Sequence, residues 1–178
     1  MARLAKTLVA AVATLSGVSV LWPPPESRPP RQASADAVQL AILVDLLSDT
    51  RPGFAGHSNP VLERDRVVCA SVWRSRRVLS SGSESDPSAE VLARLNVGGR
   101  RVYPGSACVL SDMALRLAST GAHAVLIGVG APEWTRSGLA KVEGVWYLGP
   151  LYAAGSDYTV SFANGQWRVD TAKFTWVS

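Results

Sequence analysis

Residues 158–169 read YTVSFANGQWRV. Tyr158, Val160 and Phe162 alternate with small or polar residues before Asn164 and Gly165, and Trp167 and Val169 alternate after them. A period of two marks a half-buried strand, and Asn followed by Gly supplies the positive φ values of a tight hairpin. Two antiparallel strands are therefore expected here. Upstream, the apolar runs 122–129 and 139–148 are set apart by Gly, Pro and Ser, and residues 167–176 close the chain with the same character. The last third reads as an antiparallel meander.

Residues 66–73 (RVVCASVW) are apolar and β-branched, which suits a strand buried on both faces better than so short a helix. Residues 101–110 look extended, although Pro104 and Gly105 oppose a regular central strand there. In 111–120, Met113, Leu115 and Leu117 alternate with Ala114, Arg116 and Ala118, favouring a strand. The same stretch, ending at Gly121, also fits a capped helix.

Two helices are expected. Residues 36–47 place Ala37, Leu40, Ala41, Val44 and Leu47 on one stripe, widened by Ile42, Leu43 and Leu46, with Ser34 or Asp36 able to cap the start. Asp86 and Pro87 open a second helix whose apolar face is Ala89, Leu92 and Leu95. Helices and a mostly antiparallel sheet must bury their apolar faces on each other. The expected class is α+β, a curved sheet packed with two helices and ending in a β-meander. By analogy of shape alone, cystatin-like and nuclear-transport-factor-like folds fit this description, and they carry no catalytic residue over to this chain.

Arg3 and Lys6 precede a charge-free apolar run, 7–21, as in an export signal. A membrane-spanning helix needs roughly 20 apolar residues, and this run stops at Trp22 and three prolines. The small-residue triplet Ala33, Ser34, Ala35 offers a cleavage site. The expected division is a signal peptide and proline-rich segment, 1–35, and a single α+β domain, 36–178. In the alternative, the apolar run stays as an uncleaved anchor and the prolines form a semi-extended tether. Both readings place the domain outside the cytoplasmic membrane, either periplasmic or secreted, or held at that membrane's outer face.

The chain has 18 basic and 14 acidic residues and a net charge of +4. Four basic residues, Arg3, Lys6, Arg28 and Arg31, lie before Asp36 against one acid, Glu26, so the folded part is close to neutral. Nucleic-acid binding is not expected from so weak a basic footprint. Cys69 and Cys108 are the only cysteines. In an oxidising compartment such a pair forms a disulfide, contributing about 4 kcal/mol in the chain-entropy model. Two buried thiols are the alternative. Neither cysteine has a CxxC neighbour and only His57 and His123 exist, so no metal site is expected.

Residues 149–178, GPLYAAGSDYTVSFANGQWRVDTAKFTWVS, resemble the ending of a loose group of uncharacterised small exported bacterial proteins. The shared features are a Gly-Pro-Leu turn, a glycine before a Tyr-containing strand, a Gly-x-Trp-x-Val hairpin and a terminal Trp-Val-Ser. The resemblance extends thinly to 68–72, 86–95 and 104–108. It implies export and no particular activity.

No Gly-x-Ser-x-Gly elbow, Walker loop, His-Glu-x-x-His helix or EF-hand loop occurs. Gly128-Val129-Gly130 lacks the third glycine and the following helix of a dinucleotide site. His57 lies in a turn-rich loop where nothing selects an orienting partner from Asp45, Asp49, Glu63 or Asp65, and His123 reads as a strand-end residue. No catalytic residue, metal ligand or cofactor is assigned. The aromatic set Trp134, Trp146, Tyr147, Tyr152, Tyr158, Phe162, Trp167, Phe174 and Trp176 is concentrated at the C-terminal end. Most of it must be core, and the rest can line a surface, with Trp146, Tyr152, Asp157 and Tyr158 as the candidate binding rim. The expected function is a non-catalytic binding module for a protein or cell-envelope component. The competing expectation is a small pocket enzyme or small-molecule binder with an aromatic-lined cavity and an acid-base group such as Asp157, Glu143 or His57.

Overall fold

Asn164 and Gly165 take φ values of 53° and 76°, and the hairpin they close is the longest strand pairing among the described residues. A computed structural model of the chain describes residues 31–48, 65–75, 84–96, 100–135 and 137–178. In chain order these form α1 (Arg31–Ser48), β1 (Val67–Trp73), β2 (Glu84–Ser85), α2 (Ala89–Leu95), β3 (Val102–Pro104), β4 (Cys108–Ser111) and β5 (Ala114–Leu117). They continue with β6 (Ala124–Val129), β7 (Glu133–Trp134), β8 (Ala140–Gly149), β9 (Tyr152–Ala163) and β10 (Gln166–Val177). The α+β class holds, with an open, mostly antiparallel sheet and a C-terminal meander.

The sheet runs β10-β9-β8-β6-β1-β2, with β3 beside β1 and β7 beside β8. The meander is antiparallel, as are the pairings of β2 with β1 and β7 with β8, whereas β1 pairs in parallel with both β6 and β3. That parallel centre explains the uninterrupted apolar run of β1. Parallel strands are covered on both faces and lose the polar alternation of an edge meander. All six residues of β6 are buried, and β1 is nearly so. In β10, irregularities after Val169 and Phe174 interrupt the register with β9. Bulges of this kind bend and twist an exposed edge, which discourages pairing with a further strand.

Both helices lie on one face. Val38, Ile42, Leu43 and Leu46 of α1 and Val91 and Leu95 of α2 join Val68, Ala70, Val125, Ile127, Val142 and Tyr158 in the larger core. The opposite face carries a smaller core of Cys69, Trp73, Leu126 and Val145, roofed by Leu115 and Leu117 of the β4–β5 hairpin. The side chains of β1 alternate between these layers, so one strand supplies both cores. Cys69 and Cys108 form a disulfide, with their Cα atoms 6.4 Å apart, fastening the hairpin roof to the central strand. Its presence is compatible with an oxidising, exported location.

Residues 111–120 are a strand and a turn, as the alternation favours: Leu115 and Leu117 face the smaller core, while Asp112 and Met113 turn with positive φ. The second helix starts later than Asp86. Ser88 caps it by accepting from Val91 N, and the Asp86 carboxylate instead accepts from the backbone N and hydroxyl of Ser106 at 2.8 and 2.6 Å. Asp86 therefore pins the turn after β3. The first helix is already formed at Arg31, ahead of both expected caps.

Candidate functional site

Two surfaces have the composition of binding sites. The first is one end of the sheet, where the β8–β9 turn, the β4–β5 turn and the C-terminus converge. Tight packing holds the two turns together: a Cβ on Gly149 would collide with the main-chain carbonyl of Met113. Ser178 N donates to Ala153 O at 2.9 Å, and Val177 pairs with Ala154, bringing the chain end to the same place. Leu151 is 75% exposed, Met113 and Val177 62%, Tyr152 52% and Leu110 50%. Clustered apolar exposure of this kind, unlike scattered single residues, marks an interaction surface.

The aromatic rim divides between faces. Trp146 and Tyr152 meet, with ring centroids 6.5 Å apart and planes at 40°. Trp146 is buried, so it supports Tyr152 from beneath while Tyr152 presents itself to solvent. Tyr158 lies in the larger core, over Gly144 and Ile42, away from any rim. Asp157, its neighbour, points to the opposite face, where it stands opposite Glu143 on one side and Lys173 on the other. Strand alternation forces this separation, since adjacent residues cannot share a face.

The second surface is an open groove of about 690 Å³ between α1 and the tip of the β9–β10 hairpin. Leu40 and Val44 of α1 form one wall, and Phe162, Trp167 and Val169 the other. The hairpin wall is stiffened by its rings: Trp167 packs at 5.3 Å on both Phe162 and Trp134. Arg94 and Arg168 stand at its margin with Asp45. Periodicity assigns Val44 to the buried stripe of α1, yet it is exposed in the groove. No local signal separates a helix residue facing a sheet from one facing a gap beside a curled hairpin.

Among the candidate acid-base groups, Glu143 accepts a hydrogen bond from Trp176 Nε1 at 2.8 Å. His123 is exposed and forms an isolated bridge with Arg116, as a strand-end residue does. His57, Asp49 and Glu63 lie outside the described residues. Burial raises the Tyr147 phenol above its ordinary 10.0. Among the described residues no group of three His, Cys, Asp or Glu could hold a metal ion, and no helix is long and apolar enough to cross a membrane. No protein-family model, curated protein or solved structure matches the chain.

Proposed function

We propose that this chain is an exported, non-catalytic binding module, periplasmic or secreted, that docks a protein or cell-envelope component through the apolar end of its sheet. The observation that carries this reading is the convergence of Leu110, Met113, Leu151, Tyr152 and Val177 on one end. Exposing apolar area costs about 25 cal/mol per Å², which a partner that covers it recovers. The side chains stand on two tight turns and a chain end anchored by the sheet. Little backbone order is lost on docking to so fixed a surface. The disulfide and the resemblance to exported bacterial proteins support the location, and the proline-rich leader supplies either a removed signal or a tether.

The test is site-specific photocrosslinking in a host that exports the protein. A benzoylphenylalanine at Leu151 or Met113 is expected to yield one discrete adduct, weakened by Leu110→Asp. The same probe at Lys141, exposed near the other end of β8 from Gly149, is expected to yield none. Equal labelling at Lys141, or no adduct at either apolar position, would overturn the docking surface.

A further inference from the structure

The groove between α1 and the β9–β10 tip is separate from the apolar end, and it combines a hydrophobic trough with a cationic margin. Leu40, Val44, Phe162, Trp167 and Val169 can cover a hydrocarbon chain. About 690 Å³ lies within the usual range of roughly 300–1,000 Å³ for ligand sites. The side chains of Arg94 and Arg168 make no ion pair or hydrogen bond with another described residue, and their two positive charges stand against the one negative charge of Asp45 in the lining. The net charge of the lining is therefore positive.

We infer that this groove binds a single-chain amphiphile with an anionic head, such as an acyl carboxylate. The chain lies between α1 and the aromatic wall, and the head is held by Arg94 and Arg168. Guanidinium groups favour this role because their planar donors pair with a carboxylate in bidentate fashion. The apolar trough alone would accept any chain. The two arginines make the site selective for the sign of the head group.

The experiment is calorimetric titration of the purified chain with laurate below its micellar concentration. Dodecyltrimethylammonium tests the same chain with a cationic head, and acetate tests the head alone. Saturable binding of laurate with one site is expected, at least tenfold tighter than the cationic amphiphile, with no binding of acetate. Laurate should also shift the Trp167 indole N–H resonance, assigned by its loss in Trp167→Phe. Arg94→Gln with Arg168→Gln should weaken laurate at least tenfold without changing the unfolding midpoint, since both side chains are exposed. Ala41→Trp should block the trough. Equal affinity for the two amphiphiles, an unchanged affinity in the double arginine variant, or no saturable laurate binding would overturn the inference. None of these outcomes bears on crosslinking at Leu151, which tests the other surface.

Discussion

Trp176 lies across Gly155 on the neighbouring strand, and its Nε1 reaches over to donate to Glu143 Oε1 at 2.8 Å on the strand beyond. Three strands of the meander are clasped by one side chain. A Cβ at position 155 would enter the indole itself. Gly155→Ala is therefore expected to destabilise by about 1–3 kcal/mol, as overpacking does, read from the urea midpoint. In Trp176→Ala the space is vacated and the same change should cost little, so the two substitutions should be strongly non-additive. Additive effects would show that Gly155 is required for another reason.

The bridge between Cys69 and Cys108 ties the β4–β5 roof to β1. Thiol labelling of the denatured, unreduced protein should find no free cysteine, and Cys69→Ala should expose Cys108. Replacing both with alanine should lower stability by up to about 4 kcal/mol in the chain-entropy model. Local loss should come first in the roof: amide exchange at Leu115 and Leu117 should accelerate before exchange in β6. Uniform acceleration through the whole sheet would contradict this order.

The strands of the meander were legible because burial on one face leaves a period of two, and Asn164 with Gly165 is a turn signal of short range. The disulfide was legible because a chain with two cysteines allows only one internal pairing. The parallel pairing of β1 with β6 and β3 was not, since the partner of a fully buried strand is fixed by topology and leaves no local trace. The site fared worse. Met113 reads as the first alternating apolar residue of a strand and Leu151 as part of a Gly-Pro-Leu turn, and only the packing of Gly149 against Met113 shows that they belong to one surface.

Asp86 and Ser88 divide tasks that the sequence assigns to Asp86 alone. Ser88 Oγ accepts from Val91 N at 3.3 Å, so Ser88→Ala should cost about 1 kcal/mol, the usual worth of an N-cap. Asp86→Asn should act elsewhere, weakening the two bonds to Ser106 and loosening the turn between β3 and Cys108. Amide exchange can tell them apart. Ser88→Ala should raise exchange at Val91, and Asp86→Asn at Ser106.

Tyr147 gives a pH dependence whose sign follows from its burial. Its folded pKa is raised above 10.0, so the folded state holds the proton more tightly than the unfolded chain. This stabilisation is fully present below pH 10 and is lost as pH rises through the folded value. Tyr147→Phe should reduce the steepness of the stability loss above pH 10, measured as unfolding midpoints from pH 8.5 to about pH 11 against the unmodified protein. An unchanged slope would remove Tyr147 as its source.

The expected cleavage after Ala35 has a consequence for α1. Cleavage after Ala35 would remove the first residues of the helix, while the buried side chains described in α1 begin at Val38. The core contacts of Val38, Ile42, Leu43 and Leu46 would survive intact. The new end would carry Asp36 in the first turn, where a carboxylate interacts favourably with the helix dipole. A protein beginning at Asp36 is therefore expected to fold with the stability of the longer chain to within about 1 kcal/mol, because it keeps every buried side chain described in α1. Expressed with its leader, the chain should leave the cytoplasm, and its intact mass should correspond to an N-terminus at Asp36. Recovery of the full-length chain in the membrane fraction would instead establish the anchored form, with residues 23–32 as tether, while a full-length cytoplasmic product would refute export.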